Sequence, residues 1–168
     1  MKAERLRAWE IAPDAIKALK AVEGCVAQSA LETSLAELVK VRASQINGCS
    51  YCLEMHSTQA RKSGESEQRL HVLSAWHQSG LYSERERAAL AWTDAITKIA
   101  QSGAPDELYE ALQTQFSEKE IVDLTLLVGL INVWNRIAIS FRYVSEQDVT
   151  KQTWSAPVIR EFNEAGSR

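Results

Sequence analysis

Cys49, Cys52 and His56 follow one another at spacings of three and four, so on a helix they share one face and rise together over two turns. Two thiols one turn apart can close to a disulfide and reopen to a dithiol. An imidazole one turn further along can take the proton that a thiol loses before it attacks. A free thiol, with a pKa near ~8.5, is mostly protonated at neutral pH. A helix N-terminus, a neighbouring imidazolium and the Cys-x-x-Cys arrangement each draw that value down, to roughly 3.5–7.5. If one thiol is oxidised to a sulfenic acid, the second condenses with it before further oxidation can occur.

The same residues admit other readings. A Cys-x-x-Cys pair is half of many zinc sites, which Cys25 and Glu37 could complete, and isolated cysteines are often inert core residues. The chain has three cysteines and no second Cys-x-x-Cys pair, which favours redox chemistry over a closed metal site. His71 and His77 have no such company and are expected at the surface.

Helices must position these groups. Pro13-Asp14 opens one that Ile16, Leu19 and Val22 carry to about residue 29. Leu35, Leu38, Val39 and Ile46 form the stripe of a second, about 32–46, and Asn47-Gly48 stops it. Cys49 then opens a third helix running to Lys62, and Ser66 a short fourth through Leu73. Ser83 with Glu86, and Ser117 with Glu120, have the spacing of capping boxes; the first heads a helix reaching Gly103, the second a long apolar helix through Ile139. A short helix over 105–115 lies between them. No stretch alternates with period two, so the fold class is all-α, with six to seven helices in a single domain over residues 1–168.

The apolar helix is interrupted by Asp123, Asn132, Asn135 and Arg136, each expensive in lipid, so it reads as a core or interface helix and no membrane partner is expected. Trp76, Trp92 and Trp134 read as packing residues. With 19 basic and 22 acidic residues interspersed along the chain, nothing forms a cationic stripe for nucleic acid. Met1 to Lys20 lacks the continuous apolar run of a signal peptide, and a cytoplasmic location is expected. Beyond Tyr143 the chain turns polar, and Trp154, Pro157, Val158 and Phe162 suggest a docked tail over 144–168.

Glu37, eleven intervening residues, Cys49-Ser-Tyr-Cys52-Leu-Glu-Met-His56 and the downstream Trp134-Asn135-Arg136 together resemble the alkylhydroperoxidase AhpD family of the carboxymuconolactone decarboxylase superfamily, over roughly residues 35–143. The resemblance implies an all-helical trimer or hexamer that reduces organic hydroperoxides and needs no bound metal or flavin, its redox-active disulfide being Cys49–Cys52. It implies that Cys52 attacks the hydroperoxide and becomes the sulfenic acid. Cys49 then donates a proton, resolves the intermediate and faces the reductant, and His56 and Glu37 relay protons. A lipoyl or thioredoxin-like dithiol protein, or a small thiol, is the implied electron donor. The pattern departs at Tyr51, where well-characterised peroxidase members carry a histidine. Phenol, with a pKa near ~10, does not replace an imidazole as a neutral-pH base.

Glu37 lies opposite the Leu35, Leu38, Val39, Ile46 stripe, so its relay role requires that face to be covered by the motif helix as well. Burial there would raise its pKa. Two other functions remain as alternatives: a lactone decarboxylase, whose superfamily branch generally lacks the cysteine pair, and a metal-binding or redox-sensing scaffold built on Cys49, Cys52 and His56.

Overall fold

The Oγ atoms of Ser83 and Ser117 accept the backbone N–H groups of Glu86 and Glu120, whose carboxylates return to the serine N–H groups. Both predicted capping boxes are therefore complete and satisfy donors that a helix start leaves unpaired. In a computed structural model describing residues 3–144, the helices are α1 (Ala8–Ile11), α2 (Pro13–Ala27), α3 (Thr33–Asn47), α4 (Ser50–Lys62), α5 (Glu67–Val72), α6 (Glu84–Thr97), α7 (Ile99–Ser102), α8 (Asp106–Gln113) and α9 (Glu118–Phe141). No strand occurs among the described residues. The expected docked tail lies outside them, apart from Val144.

Helix α3 is the central element, packed on α4, α6 and α9. Leu35 and Val39 enter a core with Ala89, Trp92, Leu124 and Val128; Leu38 and Val41 enter a second with Ala60, Leu70, Leu73 and Leu90. Each such buried Leu side chain contributes about 1.5–3 kcal/mol of transfer free energy, and α3 receives it on both faces. Polar residues between the stripes, Glu37 among them, are thereby buried too.

Helix α9 is long and apolar enough to cross a membrane by length and composition, with mean hydropathy 1.5. Here it packs against α2, α3, α4, α6 and α8. Its buried polar groups are satisfied inside the protein: Asp123 accepts from Lys119 at 2.6 Å, while Asn132 and Asn135 bond to α3 and α6. Val122, Leu126, Val133 and Ile139 remain exposed on its outer side.

Three boundaries differ from expectation. The helix predicted to reach Gly103 breaks at Lys98, whose φ/ψ of −106°/32° leaves the helical region and separates α7. The predicted fourth helix is α5 followed by a 3-10 segment, Leu73–Gln78. The N-terminal residues before Pro13, given no element from sequence, contain α1.

That N-terminal segment matters because it is tied to the end of α9. The Arg5 N–H donates to Phe141 O at 2.8 Å, and the Ala8 N–H donates to the Tyr143 hydroxyl at 3.3 Å. Arg142 turns the chain through the left-handed region (φ 57°), and the Tyr143 N–H closes back on Ala138 O at 2.9 Å, which directs Tyr143 toward the head of α4.

Candidate functional site

Two residues join α3 to α4. Gly48 adopts φ 68°, a conformation that costs a side-chain-bearing residue strain, and its N–H and that of Cys49 close on Gln45 O and Ser44 O. The chain then folds back. Glu37 lies eleven residues before the turn and His56 eight after it, about 16 and 12 Å along their helices at 1.5 Å per residue. The hairpin therefore sets them side by side: His56 Nδ1 is 3.1 Å from Glu37 Oε2. The long spacer between Glu37 and the cysteines is thus the length of one helix arm.

Cys49 is the N-cap of α4 rather than its first helical residue, and its Sγ accepts the Cys52 N–H at 3.3 Å. A thiolate at that position meets the unpaired N–H groups of the helix start directly. Cys49 and Cys52 are joined as a disulfide, with Cα atoms 5.4 Å apart. Both are buried, at 1% exposure.

Access comes through a cavity of about 310 Å³ lined by Cys52 and His56 together with Trp9, Tyr51, Trp134 and Tyr143; Cys49 is not part of that lining. Tyr143 holds the aromatic wall together, packing edge-on against both Trp9 (5.0 Å) and Tyr51 (5.6 Å). Tyr51, which stands where the resemblance expects a histidine, is therefore part of the wall. A second cavity of about 160 Å³ reaches His56 from the other side, past Glu37 and Lys40. Trp134 and Glu23 line both. Trp134 thus borders the site as well as packing.

The expected pKa of Glu37 is corrected. Burial pushes this carboxyl up, but hydrogen bonds and charge from His56 and from Lys40, whose Nζ is 2.7 Å from Oε1, outweigh it and hold the pKa below the ordinary 4.5. Glu37 is an ionised acceptor at neutral pH. As an acceptor only, it takes a hydrogen bond from His56 Nδ1 and so fixes the orientation of the ring. Lys40 was not anticipated, although it stands three residues from Glu37 on the same helix, a spacing that marks ion pairs.

A carboxylate whose pKa is depressed by folding stabilises the protein above the ordinary value, and that contribution is lost as pH falls through the folded value. Glu37→Gln is expected to cost about 2 kcal/mol at pH 7. In urea unfolding series, the gap between Gln variant and parent should close as the pH falls below about 4.5 and through the lowered folded value. A gap independent of pH would mean that Glu37 is not an ionised partner.

His71 and His77 are exposed, as expected. Cys25 is exposed too, and no group of three or more His, Cys, Asp or Glu side chains is arranged to hold a metal among the described residues. Asn132 and Asn135 are buried and bonded within the protein, as a helix rich in apolar residues demands. Arg136 is exposed and folds back on Asn132 O at 2.8 Å.

The profile of the carboxymuconolactone decarboxylase family matches residues 13–95. YdfG of Bacillus subtilis, an uncharacterized protein, is 42% identical over 137 residues, which are 82% of this chain and 93% of that one. A crystal structure from Agrobacterium tumefaciens, of a protein of unknown function for which an AhpD antioxidant-defence role has been suggested, superposes with a TM-score of 0.82 at 46% identity, covering 84% of this chain and 97% of the other. The debrominase Bmp8 superposes with a TM-score of 0.71 at 23% identity, over 80% of this chain and 72% of its own, a likeness of fold alone.

Proposed function

The chain belongs to the carboxymuconolactone decarboxylase family and has its AhpD-like helical fold, and from that premise we propose that it is a thiol-dependent peroxidase acting on organic hydroperoxides. The observation that carries this reading is the opening of Cys52 and His56 into one aromatic-walled cavity while Cys49 waits behind Cys52 at the helix cap. A lactone-converting site has no need of a paired dithiol.

His56 Nε2 takes the Cys52 proton, and the thiolate attacks the outer peroxide oxygen. The O–O bond breaks, an alcohol leaves with the proton returned from His56, and Cys52 becomes a sulfenic acid. Cys49 then attacks the Cys52 sulfur; water departs and the disulfide closes. An incoming dithiol returns two electrons and two protons, itself becoming a disulfide. In this scheme the reductant enters through the same cavity and attacks Cys52, and Cys49 leaves as the thiolate that the Cys52 N–H stabilises. A lipoyl or thioredoxin-like dithiol, or a small thiol, meets that chemical requirement. The sulfur pair is itself the redox group, and the reading places the enzyme in a reducing cytoplasm.

Glu37 has a supporting role in this account, orienting His56 instead of carrying a proton itself. Assembly as a homotrimer or homohexamer is supported by the exposed Val122, Leu126 and Val133 on α9, an apolar stripe suited to a second copy.

The test is steady-state reduction of cumene hydroperoxide with dithiothreitol as electron donor. Catalytic consumption, faster than for hydrogen peroxide because the small substrate gains nothing from the aromatic wall, is the expected result. Consumption no faster than with dithiothreitol alone would refute the proposal.

A further inference from the structure

The three elements that meet at the sulfur pair are α3, which delivers the chain to it, α4, which begins with it, and α9, which packs behind it. Between α3 and α9 lies a group of amides, two buried and one half-buried, that the chemistry above does not use. Asn47, the last residue of α3, donates from Nδ2 to Asn135 Oδ1 at 2.8 Å and to Asn132 Oδ1 at 3.0 Å. Asn135 is fully buried and donates from Nδ2 to Ser44 Oγ at 3.1 Å. Ser44, also fully buried, uses its carbonyl to accept the Cys49 N–H at 3.1 Å. Asn132 continues the network away from the sulfurs, donating to Thr97 Oγ1 on α6 at 3.1 Å.

Apolar contacts between α3 and α9 would bury the same surface without fixing a direction, because the hydrophobic effect is non-directional. Amide hydrogen bonds do fix direction. Here they converge on Ser44 and Asn47, the residues whose backbone shapes the turn into Cys49. We infer that Asn47 and Asn135 are positioning residues for the redox pair: they clamp the α3–α4 turn to α9 so that Cys49 Sγ stays at the helix cap when the disulfide opens.

The consequence falls unequally on the two redox states. In the disulfide, the covalent bond holds Cys49 Sγ in place whatever the turn does. In the dithiol, only the turn keeps the sulfur against the Cys52 N–H. Loosening the clamp therefore weakens the dithiol more than the disulfide. In the exchange of the dithiol with oxidised glutathione, which gives the protein disulfide and two reduced glutathiones, the balance moves toward the protein disulfide.

The experiment measures that equilibrium for the parent, Asn47→Ala, Asn135→Leu and Thr97→Val, together with each protein's thermal stability. Thr97→Val removes a hydrogen bond from the far end of the same network without touching the turn, so it reports a structural loss alone. The inference predicts that Asn47→Ala shifts the exchange constant toward disulfide by on the order of fivefold, the scale of one net hydrogen bond, while Thr97→Val lowers the melting temperature and leaves the constant unchanged. Asn47→Gln, which restores an amide donor, should recover part of the shift. Should Asn135→Leu fail to fold, the half-buried Asn47 site still decides the matter. An Asn47→Ala protein that is less stable but has the parent's exchange constant overturns the inference. The inference rests on Cys49 and Cys52 being a working redox pair; if that reading is wrong, the parent itself gives no exchange equilibrium, an outcome distinct from an unchanged one.

Discussion

Cys52→Ser abolishes hydroperoxide turnover, a fall of roughly a thousandfold or more, because a serine hydroxyl has no accessible anion at neutral pH with which to attack the peroxide oxygen. Cys49→Ser behaves differently. It consumes one equivalent of hydroperoxide and then stops, with a sulfenic acid or a mixed disulfide on Cys52 that a dimedone adduct or an added thiol reveals. The two variants divide the roles because the cavity meets Cys52 and not Cys49. Stoichiometric consumption by Cys52→Ser, with the label appearing on Cys49, would reverse the assignment.

The second large effect is at His56. A positioned general base contributes about 10²–10⁴ in rate, and His56 is held by the ionised Glu37 and lines the same cavity as Cys52. His56→Gln keeps a hydrogen bond to Glu37 and removes the base. Its peroxide reduction at pH 7 should fall by about a hundredfold. The loss should shrink above about pH 8.5, where an ordinary cysteine ionises without help. A pH-rate profile measured as single-turnover oxidation of the reduced protein isolates this step from reduction. An equal loss at every pH would assign His56 to packing.

Much of this site is legible in the chain before it folds. Cys49, Cys52 and His56 announce themselves by spacing because Cys49 caps the helix that carries the other two, where sequence distance translates into space through a single constant pitch. The capping boxes at Ser83 and Ser117 and the Asn47-Gly48 stop are equally local. Glu37 is harder, since its partner lies across a hairpin; its burial followed only once α3 was seen to be covered on both faces. The sign of its pKa shift could not be read from burial, because Lys40 and His56 both reverse it.

Long-range partners escaped altogether. Trp9 and Tyr143 are 134 positions apart in the chain yet pack edge-on at the mouth of the cavity, and neither carries a local signal of that role. In the sequence Asn132 and Asn135 stand out as polar interruptions of an apolar helix, and Asn47 only as part of a helix stop. The convergence of the amide cluster on Ser44 and Asn47 depends on how α9 lies across α3. The break at Lys98 is a change of backbone angles in a segment whose apolar spacing continues through Ile99.

The central claim is that Cys49 and Cys52 cycle between dithiol and disulfide in response to a hydroperoxide. It is tested most directly by the intact mass and free-thiol count of freshly reduced protein before and after one equivalent of cumene hydroperoxide at neutral pH. The account predicts that two of the three thiols disappear, that the mass falls by two hydrogens, and that peptide mapping joins Cys49 to Cys52 while the exposed Cys25 stays free. Survival of all three thiols with the peroxide unconsumed would contradict it.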